Sequence, residues 1–199
     1  MEVKTADNEF QHVIYNDSQY SKLKDHLKQT AEQPQHHLSL FLGLYQPNKK
    51  KAVRDIAKNI NRDVKTIDTE NYVSKIESDT FKKLDGLFDS FDQTDVILYF
   101  KNGGKLCGSY TGNSQSRVKY ATPQERYFLK KVQEFNGLVI VDIDEYTDAD
   151  KTLRRAAQSV ISFNLPNSKF QRFMWHLKNF TANGSEMKTK RPESYSEAG

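Results

Sequence analysis

Five short apolar runs mark out the chain: Leu38–Leu42, Val64–Ile67, Val96–Phe100, Leu138–Ile143 and Val160–Phe163. Three of them are almost continuously apolar, as strands buried on both faces must be. The segments between them carry a helical period instead. Residues 50–60 place Val53, Ile56, Ala57 and Ile60 on one face, and residues 79–91 do the same with Phe81, Leu84, Leu87, Phe88 and Phe91. Residues 122–135 repeat the pattern with Phe128, Leu129, Val132 and Phe135. Strand and helix alternating over short connections require crossover units, and therefore a parallel sheet. The expectation is an α/β fold with a five-stranded parallel sheet.

The flanks read differently. Tyr20, Leu23 and Leu27 recur at helical spacing from Ser18 to about Gln33, and Gln33-Pro34-Gln35 ends that helix. Residues 1–35 are thus expected as an N-terminal extension with an amphipathic helix, and residues 36–180 as the α/β domain. Its last helix, about Ser168–Phe180, carries Phe170, Phe173, Met174 and Leu177. Residues 181–199 are polar, with almost nothing to bury, and are expected to be a disordered tail. Between Lys101 and Tyr120 the chain has Gly103, Gly104, Gly108 and Gly112 and no apolar period. Such a loop at the C-terminal end of a parallel strand lies where ligands bind in open sheets.

Composition narrows the function classes. Only 36% of the 199 residues are hydrophobic, but 12 Phe, 10 Tyr and one Trp give the core large side chains. The net charge of +4 is a small imbalance between 30 basic and 26 acidic residues, mixed along most of the chain. That balance argues against a dedicated nucleic-acid footprint, which needs cations concentrated on one face. Cys107 is the only cysteine, which excludes a disulfide framework and a cysteine zinc site. The five histidines show no metal-ligand spacing, so no metal site is expected. No apolar run approaches the ~20 residues of a membrane span, and the first residues are not a secretion signal. The expected location is cytoplasmic.

Leu40-Phe41-Leu42-Gly43 followed by Ala52-Val53-Arg54-Asp55-Ile56-Ala57 resembles the strand, phosphate loop and helix of an AAA+ ATPase core. Ile67-Asp68, Tyr72-Val73-Ser74-Lys75 and Leu84-Asp85-Gly86-Leu87-Phe88-Asp89 resemble its second unit. Lys119 to Ile140 (KYATPQERYFLKKVQEFNGLVI) resembles the segment leading to the sensor strand. Leu165-Pro166 and a helix with Arg172 and Trp175 match the end of the large subdomain. The likeness runs from about Phe10 to Phe180 and is closest to AAA ATPases of the cell-division and contractile-injection-system type. It implies a P-loop NTPase-like three-layer sandwich. Only 33 residues follow Pro166 in this sequence, and the helical lid of that family is therefore expected to be essentially absent.

The catalytic motifs of that family are degraded here. The phosphate-loop positions read Gly43-Leu44-Tyr45-Gln46-Pro47-Asn48-Lys49-Lys50. Gly43 and Lys49 stand where the first glycine and the lysine belong. Gln46 and Asn48 replace glycines, Pro47 removes an N–H, and Lys50 takes the Mg²⁺-ligand position. These residues read either as a weak nucleotide or anion site, Gly43, Pro47, Asn48, Lys49 and Lys50, or as a solvated basic turn. After the strand Val96–Phe100, Lys101 and Asn102 replace the two carboxylates that hold Mg²⁺ and polarise water. Neither can do that chemistry. Asp144 matches the sensor position. Arg155 keeps one of two arginine-finger positions, and Gln158 replaces the other. Ile76-Glu77-Ser78 matches the pore loop without its aromatic residue or glycine.

The resemblance therefore implies a catalytically degenerate AAA+-like domain, a pseudo-ATPase acting as a structural or regulatory protein-binding subunit. The alternative is a divergent AAA+ ATPase that retains ATP binding and hydrolysis. No cofactor is expected, with ATP or ADP without Mg²⁺ as the possibility left open by Lys49 and Lys101. The expected partner is a protein, either an intact AAA+ ATPase or the chain itself, and neither nucleic acid nor membrane is expected.

Overall fold

Alternation along the strands builds the molecule. Leu38, Leu40 and Leu42 face one side of the sheet with Leu98, Phe100, Val139, Val141 and Ile143. Phe41, Ile97, Tyr99, Leu138 and Ile140 face the other. Both sides are apolar, so both must be covered, and helices cover them. The computed structural model describes residues 9–33, 35–91, 96–106, 109–110, 119–144, 149, 151–164, 168–170, 172–174 and 177. In chain order the elements are β1 (Val13–Ile14), α1 (Ser18–Ala31), β2 (His37–Leu42), α2 (Gln46–Ile60) and β3 (Asp63–Asp68). Then come α3 (Glu77–Asp89), β4 (Val96–Lys101), β5 (Ser109–Tyr110), β6 (Lys119–Tyr120) and α4 (Pro123–Glu134). The last are β7 (Leu138–Ile143), α5 (Lys151–Ala156) and β8 (Ser159–Ser162).

Among the described residues the main sheet has six strands in the order β1-β8-β2-β7-β4-β3, all parallel. The five strands read from the sequence are all present, and the count of five is corrected to six. The added strand, β1, pairs Val13 with Ile161 at the edge. Two residues are too short to show a period, which is why the sequence hides them. Residues 9–33, set apart by sequence as an extension, thus contribute β1 and the helix α1, which packs with α2. Within the glycine-rich segment after β4, β5 and β6 form a separate antiparallel pair.

Helix ends follow local chemistry. Asp17 caps α1 by accepting the Tyr20 N–H at 2.7 Å. Thr122 caps α4 through the Glu125 N–H at 3.2 Å, with Pro123 opening the helix. α2 has Pro at the same kind of position and ends on Asn61 in the left-handed conformation. α1 and α2 cover one face of the sheet through Tyr20, Leu23, Leu27, Ala52, Val53 and Ile56. α3, α4 and α5 cover the other, where Phe88, Phe100, Phe128 and Phe135 form an aromatic cluster. The result is a three-layer α/β sandwich.

The chain divides into a unit spanning Met1–Phe163 and a second spanning Asn164–Gly199. In the second, residues 169–170, 172–174 and 177 are helical, where the sequence predicts its last helix. The predicted disordered tail, residues 181–199, lies outside the described residues, as do Leu165-Pro166 and Trp175. No helix among the described residues is long and apolar enough to cross a membrane.

Candidate functional site

One carboxylate interrupts the apolar strand β7, whose sequence is Leu-Val-Ile-Val-Asp-Ile. Alternation turns Asp142 to the same face as Leu138 and Ile140, toward α2. The side chain is 2% exposed, so its charge needs a partner. Lys49, from the first turns of α2 and 0% exposed, supplies it. Its ammonium pairs with Asp142 Oδ1 and donates to the Ile143 carbonyl at 3.0 Å. It also stands 3.5 Å from Asp144 Oδ1. An ammonium has three donors, and three acceptors surround this one.

The second oxygen of Asp142 accepts from the Tyr99 hydroxyl at 2.7 Å. Tyr99 lies on β4 opposite Ile140, one alternation step from Asp142 on the same face. Burial first, and then the charge of Asp142, push the Tyr99 phenol well above its ordinary range. Asp144, half exposed beyond the end of β7, accepts from the Gln46 side chain at 2.9 Å. The cluster Lys49–Asp142–Tyr99–Asp144–Gln46 therefore ties the start of α2 to the ends of β4 and β7.

Backbone donors in the loop before α2 are also in use. Helix α2 begins at Gln46, leaving only Gly43-Leu44-Tyr45 between it and β2. The Gly43 N–H donates to Ile143 O at 3.0 Å, and the Gln46 N–H to Leu44 O at 2.9 Å. The N–H groups of Asn48 and Lys49 both donate to Tyr45 O, at 3.2 and 3.4 Å. Pro47 has none and sits in the first turn of α2, where a missing N–H costs nothing. Gly43 itself has φ +123°, and a Cβ there would stand 2.5 Å from the Phe163 carbonyl oxygen. The glycine is required by the approach of Phe163, just after β8, whose N–H donates to Leu42 O at 2.7 Å.

The remaining sequence-predicted positions are scattered over the fold. Lys50 is exposed on α2. Lys101 ends β4, and Asn102 follows in the left-handed conformation, donating from its amide to Asp68 Oδ1 at 3.0 Å. That bond, followed by the one from the Glu70 N–H, holds the Asp68 carboxyl below its usual range. Arg155 is exposed on α5. Gln158 is at the opposite end of the sheet from Lys49, where its side chain accepts the Leu38 N–H at 2.7 Å. It also lies 3.3 Å from His36 Nε2. Ile76 precedes α3 and is exposed. The structure thus brings together Gly43, Lys49 and Asp144, and leaves Gln158 remote from them. Asp142 and Tyr99 were missed by sequence reasoning, although a lone carboxylate inside a doubly buried strand was a readable signal. Among the described residues, no group of three His, Cys, Asp or Glu side chains could hold a metal ion.

No protein-family model matches the chain, and no curated protein matches it. Among solved structures it is similar to a chain of the E. coli MS115-1 HORMA:CdnC:Trip13 complex. The TM-score is 0.56 at 13% identity, over 85% of this chain and 69% of that one. At that identity the likeness describes a shared α/β fold.

Proposed function

We propose that this chain is a catalytically degenerate AAA+-like domain that serves as a structural or regulatory protein-binding subunit. One observation carries the reading: the Lys49 ammonium, which the family directs at phosphate, is enclosed by Asp142, Ile143 O and Asp144. A phosphate entering there would compete with a buried carboxylate for the same cation and would have to leave that carboxylate unpaired. The amides of Gly43, Gln46, Asn48 and Lys49 are likewise donated within the fold. Lys101 cannot ligate Mg²⁺ and Asn102 cannot act as a base, so the pair does not supply the carboxylates that a Mg²⁺–nucleotide site of this kind uses. Retention of the core alongside loss of the chemistry supports a role in assembly, with an intact AAA+ ATPase or a second copy as partner. The similar solved structure is itself part of a multi-protein complex.

Calorimetry with ATP and ADP, with and without Mg²⁺, together with phosphate-release assays, tests the first half. No metal-dependent binding and no turnover are expected; micromolar Mg²⁺-dependent binding with turnover would replace this reading with a divergent ATPase. Sedimentation velocity tests the second half, on the chain alone and mixed with an intact AAA+ ATPase from the same source. A defined complex in one of the two is expected, and a monomer in both would end the subunit reading.

A further inference from the structure

The overall balance of charge conceals a segregation that the fold makes visible. Lys50, Arg54 and Lys58 recur every four residues along α2, and Lys51 stands beside the first of them. All four are exposed. From Lys50 to Lys58 the stripe runs about 12 Å at the rise of an α-helix. Beyond the cap at Asn61, the Arg62 guanidinium is held by the Ala31 carbonyl at the end of α1. Arg54, Lys58 and Arg62, with Asn61 and Asp63, line an open cleft of about 640 Å³ that continues the stripe. Among the described residues, none of Lys50, Lys51, Arg54 and Lys58 has a carboxylate partner. The carboxylates nearest in sequence are Asp55, half buried, and Asp63, in the cleft itself.

The chemistry of this face selects among anionic partners. A protein interface is anchored by buried aromatic or aliphatic side chains, with charge at the rim. Among the described residues of the first unit, the exposed large hydrophobics are Ile14 and Ile76, and neither lies on α2 or lines the cleft. A phosphodiester backbone, by contrast, is bound by cations alone through release of its counterions. Among the described residues no aromatic side chain lines the cleft, so none of them stacks on unpaired bases there.

We propose that the exposed face of α2 and the cleft at its end form a sequence-independent docking surface for the phosphodiester backbone of a nucleic-acid duplex. The surface is separate from the enclosed Lys49 cluster, so it stands or falls independently of the pseudo-ATPase reading. Fluorescence anisotropy of labelled DNA and RNA duplexes of about 20 bp, titrated with the full chain between about 50 and 200 mM salt, tests it. Binding should weaken linearly on logarithmic axes with a slope of about −3 to −4, and should be insensitive to sequence. The two duplex types distinguish a B-form from an A-form preference, and binding of either supports the surface. The combined change Lys50→Gln, Arg54→Gln and Lys58→Gln removes three exposed charges and should flatten the slope by about 2.7. At the lowest salt its affinity should drop at least about tenfold. Changing Lys188, Lys190 and Arg191 to Gln should leave most of the binding in place. Absence of duplex binding at the lowest salt would overturn the proposal. So would an unchanged affinity in the α2 variant with near-UV circular dichroism intact, or loss of binding in the tail variant. Tighter binding of a polyglutamate peptide than of either duplex would assign the face to an acidic protein instead.

Discussion

Lys49 of α2 and Asp142 of β7, 93 residues apart in sequence, form an ion pair whose side chains are 0% and 2% exposed. Such a pair contributes little net stability as a whole, because desolvating two charges offsets their attraction. Removing one partner alone is costly, since the other charge stays buried and unmatched. Lys49→Met is therefore expected to lower unfolding free energy by about 3 kcal/mol in urea denaturation. Combining it with Asp142→Asn should restore much of that loss. A phosphate-binding lysine behaves in the opposite way: its removal leaves stability intact and abolishes nucleotide binding. Unchanged stability in Lys49→Met would reject the enclosed pair.

Tyr99 closes the other side of Asp142 with its hydroxyl at 2.7 Å. Tyr99→Phe keeps the ring and deletes only that donor. Unfolding free energy should fall by about 1–3 kcal/mol, the cost of a buried acceptor left without its bond. Equilibrium denaturation checks it, and a loss below the error of the method would mean that water replaces the hydroxyl.

Gly43→Ala separates two explanations of the same glycine. If it served phosphate approach, alanine would be tolerated in the absence of nucleotide. Here the backbone is at φ +123° and a Cβ meets the Phe163 carbonyl oxygen at 2.5 Å. The substitution is expected to destabilise the fold by about 1–3 kcal/mol, with a drop in melting temperature of several degrees. A melting temperature equal to that of the unchanged chain would refute the packing role.

The strands were legible because burial on both faces writes itself as continuous apolar runs, such as Leu38–Leu42 and Val96–Phe100. Helix faces were legible through Val53 and Ile56, or Phe128 and Val132. The start of α2 was not: Gln46-Pro47-Asn48 read as damaged loop positions, whereas Pro47 is a favourable first-turn residue. β1 escaped because two residues carry no period, and Val13 is buried only in the tertiary structure, paired with β8 and packed in the core under α1 and α2. Lys49 was read by its position in a motif. Its partner, Asp142, is supplied by tertiary structure, which no local spacing encodes. The basic face of α2 was overlooked for a different reason: its four-residue spacing is local, but a sum of charge over the chain discards the helix on which each cation stands.

His37 gives a pH test. It is buried and lies 3.0 Å from Ser159 Oγ through Nε2, and Ser159 is 2.6 Å from Ser39 Oγ. Burial, then the nearby His26 and His36, lower its pKa from 6.5 to about 3. The unfolded chain therefore takes up a proton below about 6.5 that the folded chain refuses until about 3. The associated stability is complete above 6.5 and is lost as pH falls through that window. His37→Gln, which keeps a polar group for Ser159, should show a shallower decline between those limits than the unchanged chain. Parallel slopes in denaturation series across pH would show that His37 is protonated in the fold.

The sharpest test of the proposed degenerate ATPase reading is to supply the two carboxylates that it says are replaced. Lys101→Asp with Asn102→Glu places at the end of β4 the two carboxylates that the proposed AAA+-like reading holds to be replaced. In the parent chain Asn102 already donates to Asp68, so the introduced pair would meet a third carboxylate rather than a donor. Metal binding could improve there without any catalysis, because the phosphate-facing elements remain closed. Lys49 would still be held by Asp142, and the amides of Gly43, Gln46, Asn48 and Lys49 would still be donated within the fold. Since phosphoryl transfer depends on positioned donors and charge at the phosphates, the double variant should release no phosphate above background. Measurable turnover would mean that α2 unwinds its first turn when nucleotide arrives and frees Lys49, and the chain would then be an ATPase lacking only two carboxylates.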